Sequence, residues 1–469
     1  MRSHRLLLRL ALAAALAGMA PGCSEDDDRT TLRVETLAAP DSHQFRLLEA
    51  ALAEFTKENP KIDVELVGER LKLDYLMRSI VARTSADVIE VDSGEIPFLA
   101  SRGALADLTP HCISLREKCT STAWLGWEGA SDNQFYTIPW AALPTLLLYN
   151  KDAFRAAGLR EYAPPETWDD LLWTAKRLTR DIDGDGKPDT YGFAFAAKNS
   201  VDLGRHFATL MAQLGRHLLT REEGWWAFRM DTEQGRRATE FLLALQKVAP
   251  PECVVTDDDR AIEQFHSGTA AMVFASPAGL ACEDDSDKRF EVGVAPMPRP
   301  EGGVALSDVS FRHFCIPAFV DGKRKAAAIE LATFMAGSKA QKLVAYGVDG
   351  CVPAISIRNE FLEDDVYTQP RLRAFADTID ETTPRITPTF PSLIWEGKCS
   401  EDWLGWIHSI LVDDRRTVDE VVVIAQRKGN QALSCLYGTI GHPSLTMQLG
   451  MITVGMLVFV AVAYVVARH

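Results

Sequence analysis

The chain has 469 residues, 47% of them apolar, and a formal net charge of −15 with no long basic block. This length exceeds a single ordinary domain, so two lobes with real cores are expected. The acidic balance and the lack of a positive footprint exclude nucleic acid as a partner.

Residues 1–20 join a basic start (Arg2, His4, Arg5, Arg9) to an apolar run, which reads as a secretion signal over 1–23. Gly22-Cys23 resembles a lipoprotein cleavage site, which would make Cys23 the lipidated residue; an ordinary cleaved signal is the alternative. Residues 31–37 alternate as a first strand. Asp41 and Ser42 then cap a helix through Phe55, with Phe45, Leu48, Leu52 and Phe55 spaced as a core face. Residues 62–67 and 87–91 read as further strands. Strands alternating with helices indicate α/β architecture with a mostly parallel sheet, whose ligands bind at the carboxyl ends of strands. That rule selects Asp41-Ser42 and Asp92-Ser93-Gly94-Glu95 as cleft-lining loops.

The apolar run 141–149 reads as one buried strand ending at Asn150, a good residue for turning into a helix. Thr167 and Asp170 sit at capping-box spacing and open a helix with Leu171, Leu172, Ala175 and Leu178 on one stripe. Trp168 and Trp173 on that helix are assigned to the core. Asp181, Asp183, Asp185 and Asp189 alternate around a glycine turn that includes Lys187. Such a loop can wrap a hard cation, and structural Ca2+ is the expected cofactor, with a polar Asx-turn hairpin as the alternative. The acid usual at loop position twelve is replaced by Gly192.

Nine cysteines are present, and eight remain if Cys23 is lipidated. An even count in an exported chain favours disulfides. Cys112 and Cys119 bracket a short segment and are the expected pair; Cys253–Cys282, Cys315–Cys351 and Cys399–Cys435 follow from proximity in sequence only. Residues 445–467 carry no charge and are long enough to span the hydrocarbon core, about 30 Å, as a transmembrane helix.

The stretch I-P-W-A-A-L-P-T-L-L-L-Y-N-K-D-A-F from Ile138, followed by P-P-E-T-W from Pro164, resembles the crossover region of extracellular solute-binding proteins of the maltose-binding type, the ligand-capturing subunits of ABC importers. F-T-K-E-N-P-K-I-D-V-E-L at 55–66, the run at 87–108, G-T-A-A-M-V-F at 268–274 and G-V-A-P-M-P at 293–298 continue the similarity in the family's order. The resemblance implies a two-lobed periplasmic-binding-protein fold with three hinge crossings, near Leu143, Ser310 and Ala345. Lobe one would comprise 30–143 with 310–345, and lobe two 144–309 with 346–436. It implies binding without catalysis, on the periplasmic side of the membrane, with a small polar solute, a carbohydrate by preference, and permease subunits as partners. A sensor signalling through the C-terminal helix is the alternative.

The ligand-binding set implied is Asp41, Ser42, Asp92, Ser93, Glu95, Trp140, Ser276 and Trp395. Trp140 and Trp395 have core packing as their competing role. Leu143 stands where many sugar binders carry an acid, and Ser276-Pro277-Ala278 where an aromatic is frequent. No nucleophile elbow, phosphate-binding loop or dinucleotide fingerprint is present in the sequence.

Overall fold

The computed structural model describes residues 29–70, 72–124, 134–198, 201–222, 225–280, 289–379, 398–413 and 415–439. The expected signal over 1–23 with Cys23, the expected ligand contact Trp395 and the expected membrane helix over 445–467 lie outside these residues. Among the described residues no helix is long and apolar enough to cross a membrane.

The first lobe begins with β1 (Thr30–Glu35), α1 (His43–Glu58), β2 (Ile62–Val67), α2 (Leu73–Val81), β3 (Val88–Asp92), α3 (Ile96–Ser101), α4 (Thr109–Arg116) and β4 (Thr137–Pro144). The second holds β5 (Leu146–Asn150), α5 (Lys151–Ala156), α6 (Trp168–Leu178), α7 (Val201–Gln213), β6 (Leu219–Glu222), β7 (Trp225–Phe228), α8 (Glu233–Gln246), α9 (Asp258–His266), β8 (Met272–Ala275) and β9 (Val292–Ala295). β10 (Val309–Cys315), α10 (Gly322–Met335) and α11 (Ser338–Tyr346) return to the first lobe. α12 (Asn359–Leu362), α13 (Pro370–Ile379), α14 (Lys398–Val412) and α15 (Val418–Thr439) close the described chain.

Local signals explain the helix starts. Ser42 caps α1 by accepting from Phe45 N–H, and Phe45, Leu48, Leu52 and Phe55 are all buried. Phe55 meets Phe334 edge-on at 5.4 Å, and each such buried side chain contributes about 1.5–3 kcal/mol. Asn150 caps α5, and Thr167 with Asp170 forms the capping box of α6. On α6, Trp168 is buried and stacks on Phe241 at 4.3 Å. Trp173 corrects the expectation: it is 56% exposed, because five positions from Trp168 turn it to the solvent side.

The main sheet has the order β2-β1-β3-β10-β4. β1 is parallel to β2 and β3, but the returning β10 is antiparallel to β3 and β4, so the parallel pattern covers only half of the sheet. The second lobe centres on an antiparallel sheet in the order β8-β5-β9. The apolar run expected as one strand is thus two strands of different sheets, parted at Thr145. That residue is the first crossing. The second follows β9, and the two crossings touch: Thr145 N–H donates to Asp308 O at 2.8 Å. Ser310 then pairs with Leu143 across β10 and β4.

The third passage differs from the expected boundary near Ala345. Gly347, at φ +74° and with no room for a Cβ beside Cys351 O at 2.0 Å, turns the chain after α11. Ile355 then exchanges backbone hydrogen bonds with Ala142 of β4, and Ile379 O accepts from the Thr120 and Thr122 hydroxyls. Residues 348–369 therefore stay on the first lobe and hinge, while α13 packs against both β4 and β9 and so bridges the lobes. α14 and α15 pack into the second-lobe core, through Leu404, Ile407, Val421, Val422 and Ala425.

The expected Cys112–Cys119 bridge is absent: both thiols are free and buried. The residues between them are mostly α4 rather than loop. Seven helical positions rise by about 10 Å, beyond the roughly 7 Å Cα limit of a disulfide. Cys253 and Cys315 are also free, which removes the Cys253–Cys282 and Cys315–Cys351 pairings. Cys351 is disulfide-bonded, to a cysteine other than these four. Cys282 and the side chains of Cys399 and Cys435 lie outside the description.

Candidate functional site between the lobes

β3 ends in D-S-G-E, and the chain folds there as a capping box. Asp92 accepts from Gly94 N–H at 2.9 Å, while Glu95 accepts from Asp92 N–H at 2.9 Å. Glu95 is turned inward and held by Arg70 at 2.6 Å, with both side chains almost fully buried. It positions the loop and has no face toward solvent. Ser93 is 3% exposed, and its hydroxyl has no hydrogen-bond partner among the described residues. Asp92 is the member of this loop left partly exposed.

Asp92 receives the Ser310 hydroxyl and, at 3.4 Å, the Arg312 guanidinium, both from β10. Burial alone would raise its carboxyl. Arg312, Arg205, Ser310 and the Gly94 N–H outweigh that effect and hold it below the ordinary carboxylate value. Arg205 comes from α7 of the second lobe and donates through Nε to Asp308 at 2.7 Å. Two carboxylates and two guanidiniums thus meet where β10 enters the first lobe. As an ionised group, Asp92 is an acceptor only, suited to hydroxyl or N–H donors.

The other expected ligand residues are placed as follows. Asp41 is exposed just before α1, and Ser42 is occupied as its cap, donating also to Ala39 O at 2.7 Å. Trp140 is 3% exposed; its ring lies over Phe314 at 5.6 Å, and its Nε1 donates to the buried Glu90 at 3.0 Å. Its ring is therefore floor of the first lobe. Ser276 is half-buried before the 3-10 turn Pro277–Gly279. That turn borders a cavity of about 410 Å³, whose walls include His43 of α1, Ala278 and Leu280 of the second lobe, and Tyr346, Gln369 and Arg371.

Sequence reasoning missed Arg205, Asp308 and Arg312. A signal for Arg312 exists: V-S-F-R-H-F-C alternates polar and apolar residues at a crossing, which points Ser310 and Arg312 to one face. No local pattern marks Arg205, one of several polar residues on a mostly buried helix.

Residues 39–342 match the family model of bacterial extracellular solute-binding proteins. The chain belongs to this family. Among relatives of this solute-binding protein, a lipoprotein of Streptomyces antibioticus, uncharacterized and encoded in the oleD 5′ region, is 30% identical over 345 residues, 70% of this chain and 72% of that one. The mannitol-binding protein of Pseudomonas aeruginosa is 28% identical over 270 residues, 55% of this chain and 57% of that one. The maltose-bound MalE3 of T. maritima has the same fold, with a TM-score of 0.71 at 20% identity, covering 86% of this chain and 100% of that one.

The acidic loop of the solute-binding protein follows α6 in the second lobe, closed by the Arg180–Thr190 bridge. Asp181, Asp183 and Asp189 can each bring a carboxylate oxygen within 4.8 Å of the others, and all are exposed. Asp181 and Asp189 also accept backbone N–H groups across the turn, at 2.6 Å from Gly184 and Ile182. Asp185 accepts from Lys187 N–H at 2.8 Å and stands apart from the convergent trio. Three hard oxygens at this spacing fit a calcium ion, with free lone pairs left on each carboxylate.

Proposed function

We propose that this solute-binding protein captures a small polyhydroxylated solute, a sugar or a polyol, between its lobes and delivers it to an ABC importer. The observation that carries this reading is the lobe junction. Two crossing segments lie side by side through Thr145 and Asp308, and the partly exposed Asp92 stands at their first-lobe end. Such a hinge lets rigid lobes close, and a ligand that touches both lobes stabilises the closed form. Asp92 would accept from ligand hydroxyls and Arg312 would donate to their oxygens. The mannitol-binding and maltose-bound relatives support the ligand class.

Calorimetric titration with D-mannitol and with maltose tests the reading. At least one should bind, at roughly micromolar strength or about −8 kcal/mol. Asp92→Asn should weaken it about 10- to 100-fold, the worth of a charged hydrogen bond. Silence toward every sugar and polyol, with heat from another solute class, would sink the assignment.

We also propose a structural calcium ion on Asp181, Asp183 and Asp189, with the Lys187 carbonyl completing the loop. Saturating Ca2+ should raise Tm by a few degrees, as binding energies of about 2–3 kcal/mol do in domains of this size. Asp183→Ala should abolish the increment. Equal melting of the native protein in calcium and in chelator would overturn the site.

A further inference from the structure

Asp308 is held from three directions. Its backbone oxygen accepts from Thr145 of the other crossing, its carboxylate binds Arg205 of α7, and the next residue, Val309, opens β10 beside Pro144. The same helix grips the approach to this crossing at its far end, where Gln213 Nε2 donates to Leu306 O at 2.9 Å and Gln213 O accepts from Val304 N–H at 2.8 Å. One second-lobe helix therefore controls residues 304–308, the strip that must bend when the lobes move. Two and four positions further on, Ser310 and Arg312 fasten β10 to Asp92 of the first lobe. The Arg205 charge faces that carboxylate and contributes to keeping it ionised.

We infer that Arg205 is a hinge-positioning residue: with Asp308 as pivot and Asp92 opposite, it forms an electrostatic latch that sets the resting angle of the lobes. The latch lies on the moving strip, so its strength enters the opening equilibrium whatever solute the cleft takes. It is also partly exposed, with Arg205 27% and Asp308 13% accessible, so salt should weaken it. An unlatched hinge leaves the Thr145–Asp308 hydrogen bond free to open.

Hydrogen exchange on the full-length protein, without any solute, tests this. Arg205→Gln should speed exchange in peptides spanning 143–147 and 304–311 by about tenfold, the scale of a partly exposed charge coupling. Raising sodium chloride from about 50 to 500 mM, which shortens the screening length several-fold, should do the same in the native protein and much less in the variant. Arg205→Lys, which keeps the charge, should fall between them, and Asp92→Asn should add less to Arg205→Gln than it does alone. Should Arg205→Gln fail to fold, Asp308→Asn gives the same comparison. Native-like exchange at both peptides, or an effect confined to 201–213 with no salt dependence, overturns the latch. None of these readouts involves a sugar, so they stand apart from the titration above.

Discussion

Replacing Glu95 with alanine should destabilise the first lobe by about 3–5 kcal/mol, the cost of breaking a buried ion pair from one side. The Arg70 and Glu95 side chains are 1% and 4% exposed, so water cannot replace the carboxylate once it is gone. The same carboxylate caps Asp92 N–H, so the loop that carries Asp92 loses its shape as well. The double change Arg70→Met with Glu95→Leu should recover much of the loss, because paired apolar residues remove both desolvation penalties. Urea unfolding of the three proteins gives the comparison. A Glu95→Ala midpoint within about 1 kcal/mol of the native value would mean that the pair contributes little here.

The second large effect is on acid stability and belongs to His313. This residue sits on β10, fully buried, with one ring nitrogen against the Thr137 hydroxyl at 3.0 Å and the other without a hydrogen-bond partner among the described residues. Burial pushes it down to about 3, against a smaller upward pull from Asp92, while Arg312 adds to the lowering. The folded state therefore holds a neutral ring. The unfolded chain binds a proton there below about pH 6.5. Its contribution is fully present above that pH and is lost as pH falls toward about 3. The slope is about 1.4 kcal/mol per pH unit, so roughly 2–3 kcal/mol should be gone by about pH 4.5. His313→Gln, which cannot titrate, should show a flatter stability curve between about pH 6 and 4.5 while sharing every carboxylate contribution with the native protein. Parallel curves for the two proteins would refute the assignment.

Helix starts were legible because their signals are local. Ser42 before Phe45, Asn150 before Ala153 and Thr167 before Asp170 each satisfy backbone N–H groups three residues away. The strand break at Thr145 was not legible. Residues 141–149 are apolar throughout, since both strands are buried, and a uniform run carries no period to reveal where one sheet ends. The cysteines failed for a related reason: nearness in sequence says nothing about Cα separation once a helix such as α4 intervenes.

At the candidate site, the rule that ligands gather at strand carboxyl ends selected Asp92, which does stand at the lobe junction. It also selected Glu95, and there burial reversed the expectation: a carboxylate beside Arg70 in a closed pocket anchors its own loop. Trp140 was an open choice between ligand platform and packing, and Phe314 with Glu90 occupies its face and its N–H.

By itself, the sequence determined the order of the family's segments and the capped helices, because each rests on signals within a few residues. The tertiary structure alone decided which polar groups share the cleft. Ser310 meets Asp92 from 218 residues away and Arg205 meets Asp308 from 103. Contacts at such separation leave no periodicity or spacing in the chain, so only the pairing of β10 with β3 and the packing of α7 over the crossing could create them.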